Sequence, residues 1–211
     1  MLEQLGGGML TSILIFILTL LGSLPLALPV AFGRMSKCRP LRTLMRVYIS
    51  FMRGTPLMLQ LLVVYFGPWF LLRIPLTNGY RFYAVIIAFV LNYAAYFAEI
   101  YRAGIESIPL GQYEAAEVLG YSKGQTFRRI IFPQMVKRIL PPVTNEIITL
   151  IKDTSLAFAI GVLEMFTLAK QIASAEKSMI PFVAAAAFYY IFNAVVAWGM
   201  ERFERKLSYY R

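Results

Sequence analysis

Charged side chains interrupt a stretch of sequence that is otherwise apolar enough to cross a membrane. The segment Ile139–Phe166 contains Glu146, Lys152 and Asp153. Ionisable groups at membrane depth are costly unless they face protein or water, so three of them within one segment exceed what helix packing usually tolerates. We therefore predict a helix that lines a polar path, although Lys152 and Asp153 would also neutralise each other as a pair. The candidate path residues on this helix are Glu146, Thr149, Lys152, Asp153 and Thr154.

A second apolar segment also carries polar residues on one face. Asn92, Tyr96 and Glu99 are spaced at i, i+4 and i+7, which places them on one side of a helix. Asn92 and Tyr96 are predicted to join the path, whereas Glu99 is expected to pair with Arg102. The competing interpretation of both polar faces is that their side chains hold the helices together by hydrogen bonds. For Thr154, the competing interpretation is that its hydroxyl donates a hydrogen bond to a backbone carbonyl of the preceding turn.

The elements that position these residues are membrane-spanning helices. The sequence is 59% hydrophobic and only 15% charged, with a mean hydropathy of +0.64, which is too apolar for a soluble domain. Since about 20 apolar residues cross a bilayer core, we predict an all-α polytopic membrane protein that forms a single transmembrane domain over residues 1–211. The five predicted spans cover about residues 9–32, 54–72, 82–102, 139–164 and 179–200.

Basic residues predict how the spans are oriented. Of the 21 Lys and Arg residues, sixteen lie in three clusters, Arg34–Arg53, Arg102–Arg138 and Arg202–Arg211. Positively charged connections face the cytoplasm, so the amino terminus is predicted outside and the carboxyl terminus inside. A secretory signal peptide is the alternative for the first thirty residues, but such peptides begin with basic residues and have a shorter apolar core.

Several chemistries are excluded by what the sequence lacks. It has no histidine and one cysteine, Cys38, so the usual zinc site, a Ser-His nucleophile and an internal disulfide are all unavailable. No G-x-x-x-x-G-K-[ST] phosphate loop is present. We therefore predict no catalytic residue, no metal site and no cofactor in this chain.

A polar segment, residues 110–134, separates the third and fourth predicted spans. Tyr113–Leu119 consists mostly of good helix formers. Gly120 is suited to a left-handed turn, and Ser122 to capping a second helix that runs to Pro133. On one side of the first helix, two alanines leave room for another surface to approach closely. The segment is thus either a docking element or an amphipathic piece that lies on lipid headgroups.

This segment resembles the EAA motif of ABC-transporter permeases. The motif residues are Glu114, Ala115, Ala116 and Gly120, with Pro133 at the matching proline. The stretches RGTPLMLQLLVVYFG, NYAAYFAEIYRAGIESIPLGQ and LIKDTSLAFAIGVLEM are similar to the polar amino-acid uptake permeases of bacteria, the histidine, arginine and glutamine type. The resemblance covers roughly Arg53–Phe166.

The resemblance implies a transport subunit in the bacterial plasma membrane that works with several partners. Two permeases, identical or related, form the pathway, and ATP-binding subunits with ATP and Mg²⁺ lie beneath them. An extracytoplasmic solute-binding protein delivers the amino acid. Residues 110–134 then act as the cytoplasmic coupling helix, which we call the coupling segment. Its predicted contact residues are Tyr113, Glu114, Ala115, Ala116, Leu119 and Gly120.

A zwitterionic amino acid gives the charges of the fourth span a specific role. Lys152 is predicted to bind its carboxylate, and Glu146 or Asp153 its ammonium group. Two alternatives of other classes remain. An ion-coupled secondary transporter would need no partner and usually shows internal repeats, and a non-transporting membrane scaffold would only bind a soluble protein.

Overall fold

The computed structural model describes residues 1–77 and 79–207, and every regular element in these ranges is helical. This confirms the all-α prediction. Arg211, the last residue of the basic carboxyl-terminal cluster, lies outside the described residues. The α-helices are α1 (Leu2–Met35), α2 (Arg39–Gly54), α3 (Leu57–Leu72), α4 (Tyr80–Glu106), α5 (Leu110–Val118), α6 (Lys123–Thr126), α7 (Phe132–Asp153), α8 (Met165–Glu176) and α9 (Ile180–Leu207).

Three of these helices are long and apolar enough to cross a membrane without a break. They are Leu2–Met35, Tyr80–Glu106 and Ile180–Lys206. Two further segments have a suitable composition but are bent. Helix α2 meets α3 at 109°, and the path from Lys123 to Ile160 meets α8 at 58°. The described residues therefore contain three unbroken candidate spans, and up to five if each bent pair crosses once.

The region of the predicted fourth span is not one straight helix. Helix α7 ends at Asp153 and continues as a 3₁₀ segment, Thr154–Ile160. Gly161 then takes the left-handed conformation, with φ of 72°, which ends the helical path. Glu164 starts α8, because its fully buried carboxylate accepts hydrogen bonds from two backbone N–H groups of the first turn, each at 2.7 Å. A local left-handed turn and a side-chain cap thus produce the bend.

Helix α4 lies at the centre of the bundle. Small residues let its neighbours approach closely, as is usual between membrane helices. A Cβ atom on Gly104 would lie 2.2 Å from Cγ2 of Ile139 on α7, and one on Gly22 of α1 would lie 2.7 Å from Cγ2 of Val90. In the apolar window of α4, 56% of the residues are buried, against 11% for α9. Helix α9 is therefore peripheral.

Helix α2 was not foreseen in the basic connection between the first two spans. Among its residues only Ile49 is buried. Its carboxyl-terminal half packs on α4, where the Tyr48 hydroxyl donates to the Leu91 carbonyl at 2.6 Å and the Asn92 amide donates to the Met52 carbonyl at 3.0 Å. These bonds fix the position of the bend between α2 and α3.

Candidate functional site

The coupling segment forms a helix, a sharp turn and a second helix. Gly120 follows α5 with φ of 75°, which confirms the predicted left-handed turn. Ser122 and Gln125 then form a capping box, in which the Ser122 N–H donates to Gln125 Oε1 at 2.8 Å and the Gln125 N–H donates to Ser122 Oγ at 3.4 Å. The second helix does not end at Pro133, because α6, a π-helical turn (Phe127–Ile131) and α7 follow without interruption. Pro133 lies directly after the π-helical turn, as the second residue of α7.

The coupling segment exposes apolar side chains at the start of α5 and at its turn. Leu110 is 70% exposed, Val118 is 87% exposed and Leu119 is 73% exposed. Glu114, Ala115 and Gly120 are also exposed. An unpartnered apolar turn of this kind is typical of an interaction site rather than of a free loop.

Two of the predicted contact residues of the coupling segment face the chain itself. Ala116 is fully buried, so its small side chain lets α5 pack tightly on its own protein. This differs from the expectation that both alanines leave room for a partner, because the helix has to bury one side. Tyr113 is half-buried, and burial raises the pKa of its hydroxyl. That hydroxyl donates to the Ile105 carbonyl at 3.5 Å.

The coupling segment is attached to three long helices. Tyr113 of the segment contacts α4 through the Ile105 carbonyl, and just beyond the segment Arg138 of α7 donates a hydrogen bond to the carbonyl of Ser107, directly after α4. The Phe127 ring packs edge-on against Phe32 of α1, with 5.3 Å between ring centroids. Because α7 continues from α6 without a break, the second half of the segment and α7 form one continuous helical path.

A cleft of about 420 Å³ opens between α4 and α7. Its charged and aromatic lining consists of Arg53, Tyr96, Glu99, Arg138 and Glu146. The Arg53 guanidinium carbon lies 5.2 Å from the centroid of the Tyr96 ring. Glu99 forms the expected ion pair with Arg102, and its other oxygen, Oε2, is buried without a hydrogen-bond partner. The cleft therefore combines cations and carboxylates on an otherwise apolar wall.

Two of the predicted path residues line this cleft together. Tyr96 comes from α4 and Glu146 from α7. Asp153 lies deeper in the bundle, where the buried Tyr93 hydroxyl donates to its Oδ2 at 2.7 Å. The two carboxylates of α7 thus have different surroundings, one open to the cleft and one tied to α4.

The remaining predicted path residues lie away from the cleft. Asn92 is 4% exposed and donates to Oε1 of Gln60 on α3 at 2.9 Å. Thr154 is 1% exposed and donates back to the Ile151 carbonyl at 2.7 Å. Thr149 and Lys152 are exposed on the outer side of α7.

Sequence reasoning did not single out Arg53, Tyr93 or Arg138. Arg138 has a weak helical signal, since it lies eight residues before Glu146 and therefore about 80° from it around α7. Arg53 has no such signal, because only the bend between α2 and α3 brings it to Tyr96. Tyr93 is adjacent to the polar face of α4 and reads as an ordinary aromatic core residue.

Comparison with known proteins identifies the family of the chain. Residues 23–209 match the family described as the binding-protein-dependent transport system inner membrane component. The L-cystine transport system permease protein TcyB of Bacillus subtilis is 39% identical over 209 residues, covering 98% of this chain and 87% of that protein. The arginine transport system permease protein ArtQ of Bacillus subtilis is 35% identical over 205 residues, covering 95% of this chain and 91% of that protein.

Solved structures show the same fold. A crystal structure of an amino acid ABC transporter with histidines superposes with a TM-score of 0.87 at 31% identity, covering 97% of this chain and 94% of that one. The inward-facing MetNI methionine ABC transporter gives a TM-score of 0.75 at 14% identity, covering 98% of this chain and 95% of that one. The second likeness shows the fold alone. The chain is therefore a multipass protein of the bacterial plasma membrane and belongs to the family of ABC-transporter permeases that form the inner membrane component of binding-protein-dependent transport systems.

Proposed function

We propose that this permease imports polar amino acids and is driven by a separate ATPase chain that grips the coupling segment. One observation carries the proposal. The exposed apolar residues Val118 and Leu119 lie at a turn fixed by Gly120, on a segment joined to both helices that line the charged cleft. ATP and Mg²⁺ bind to the partner ATPase and not to this chain.

The orientation that fits this proposal has the amino terminus outside and the carboxyl terminus inside. Sixteen of the 21 basic residues then lie on the cytoplasmic side together with the coupling segment. An extracytoplasmic solute-binding protein would approach from the opposite side. The proposed direction of transport is inward, as the resemblance of Arg53–Phe166 to the bacterial uptake permeases implies.

A second permease copy, identical or related, completes the path. Thr149 and Lys152 are exposed on α7, and a cation on a spanning helix is not left against lipid tails. We assign this face of α7 to the partner copy or to the water-filled path between the copies. The apolar and largely exposed α9 is suited to lipid.

The cleft is suited to a zwitterionic solute. Arg53 offers a guanidinium for a carboxylate group, and Glu146, which has no hydrogen bond from another described residue, offers a carboxylate for an ammonium group. A volume of about 420 Å³ accommodates an amino acid. Arg53 thereby takes the role predicted for Lys152, because the bend after α2 places it in the cleft.

Coupling requires that nucleotide and solute favour different arrangements of the same helices. We propose that closure of the ATPase pair displaces the coupling segment, and that α4 and α7 tilt with it. The cleft then alternates between the two sides of the membrane. Each arrangement is stabilised by one ligand, so the two sites are energetically linked.

Transport by purified components tests the proposal. The permease is reconstituted in proteoliposomes with or without its ATPase and solute-binding protein, and uptake of labelled amino acids is measured with and without ATP. We expect uptake only with all components and ATP. Uptake driven by an ion gradient without the ATPase would establish a secondary transporter, and ATPase binding without any uptake would establish a scaffold.

The role of Glu146 has its own test. Glu146→Gln should reduce the apparent affinity for the amino acid at least several-fold, since a charged hydrogen-bond partner of the ammonium group is lost. Glu176→Gln, at an exposed position outside the cleft, is the matched control. Unchanged affinity and rate for Glu146→Gln would remove this residue from the site.

A further inference from the structure

Helix α2 has three distinct faces. One face packs on the protein through Met45, Tyr48, Ile49 and Met52. A second face is exposed and apolar, with Leu44 60% exposed, Val47 60% exposed and Phe51 58% exposed. The third face carries Arg39 and Arg46, which are also exposed, with the half-buried Arg42 beside them. A helix with adjacent exposed apolar and basic faces is typical of a membrane interface.

The bend between α2 and α3 determines how this helix lies relative to the membrane surface. The two helix axes meet at 109°. If α3 crosses along the membrane normal, α2 lies close to the membrane plane. It begins only a few residues after α1 ends at Met35, which is the cytoplasmic end of the first span in the proposed orientation. The exposed apolar face can then contact acyl chains while the basic face meets the headgroups.

The charge of this region is unbalanced within the chain. Six cations and no acidic residue lie between Arg34 and Arg53. In the part of the chain that the structure describes, the salt bridges involve Arg102 and Arg205 and none of the cations on α2. Three closely spaced arginines without a carboxylate are therefore available to an anion outside the protein.

We propose that α2 lies in the cytoplasmic membrane interface and binds the phosphodiester headgroups of anionic phospholipids through Arg39, Arg42 and Arg46. Arginine forms charge-assisted, often bidentate hydrogen bonds with phosphate. Each cation near an anionic membrane surface strengthens association by about fivefold. Arg53, at the other end of α2, lines the cleft. Lipid binding therefore holds in place the helix that positions Arg53.

Cys38 provides a direct probe of this location. It is the single cysteine of the sequence, is exposed, and precedes α2. A nitroxide label on Cys38 of the full-length permease, in nanodiscs of phosphatidylglycerol and phosphatidylcholine, reports its depth through collisions with oxygen and with a water-soluble nickel chelate. We expect a position at the level of the phosphates. A label that behaves as fully aqueous would overturn the proposal.

Lipid selection tests the three arginines. Native mass spectrometry of the same nanodiscs measures the ratio of phosphatidylglycerol to phosphatidylcholine that stays bound. We expect Arg39→Gln, Arg42→Gln and Arg46→Gln together to lower this ratio at least tenfold, and the corresponding lysine variant to retain most of it. An unchanged ratio in the glutamine variant would overturn the assignment.

A matched variant controls for net charge. Arg202→Gln, Arg205→Gln and Lys206→Gln remove the same three charges from the end of α9, and the bound-lipid ratio should change little. An equal loss in this control would show that general charge, and not α2, selects the lipid.

The proposal rests on the orientation given under the proposed function. Separate experiments test the orientation and the binding of lipid by α2. A membrane-impermeant maleimide applied to sealed vesicles reports which side Cys38 faces. Labelling from the outside would refute the orientation while leaving lipid selection by α2 to be judged from the bound-lipid ratio alone.

Discussion

Replacing Leu119 by alanine should weaken binding of the ATPase partner without destabilising the permease. The Leu119 side chain is 73% exposed, so little of its surface is needed for packing within the chain. The substitution removes three carbon atoms, each contributing about 0.8 kcal/mol when buried. Scaled by the exposed fraction, the loss at a fully buried interface is about 1.8 kcal/mol, or roughly a 20-fold higher dissociation constant.

The assay for this prediction is equilibrium binding of the purified ATPase to the permease in nanodiscs, followed by ATP-driven uptake. Leu71→Ala is the matched control, because Leu71 is 81% exposed on α3 and lies outside the coupling segment. We expect both variants to unfold at the same temperature as the parent protein. Unchanged ATPase binding by Leu119→Ala would refute the assignment of this turn as the docking surface.

Two further predictions concern the contacts between α4 and α7. Gly104→Ala places a Cβ atom 2.2 Å from Cγ2 of Ile139, so α4 and α7 must separate. Overpacking of this kind costs about 1 to 3 kcal/mol of folding stability. The variant should therefore unfold at a lower temperature than the parent protein. Tyr93→Phe removes the 2.7 Å hydrogen bond to Asp153. Loss of a hydrogen bond to a charged group costs about 1.5 to 3 kcal/mol. Chemical unfolding measures this decrease in the free energy of unfolding.

Each of these variants has a control in the same chain. Gly111→Ala adds a Cβ atom with nothing within 4 Å and should unfold like the parent. Tyr83→Phe changes a side chain that is 65% exposed and should likewise be neutral. A parent-like Gly104→Ala would contradict the close contact between α4 and α7, and a parent-like Tyr93→Phe would show that the buried hydroxyl does not support Asp153.

Features encoded by neighbouring residues were predictable from the sequence. The left-handed turn at Gly120 and the cap at Ser122 depend on local backbone preferences, and both were confirmed. The all-helical membrane fold follows from long uncharged stretches and was confirmed as well. The ion pair between Glu99 and Arg102 was also expected, since these residues are three apart on one helix.

Features that depend on bends between helices were not predictable. Arg53 reaches the cleft because α2 and α3 meet at 109°, and no spacing in the sequence encodes that angle. The break between α7 and α8 depends on the left-handed conformation of Gly161 and on the cap that Glu164 provides for α8. In the sequence, Glu164 is only an isolated charge. For Thr154, the structure shows the back-bonded geometry, the alternative to a solute contact.

Hydrogen exchange of the coupling segment tests the central claim most directly. Amide exchange of residues 110–120 is followed in the permease alone and after addition of the ATPase with a non-hydrolysable nucleotide. If an ATPase grips this turn, these amides should become strongly protected, while those of α8, which lies outside the coupling segment, should not change. Exchange in residues 110–120 that is the same with and without the bound ATPase would contradict the proposed coupling.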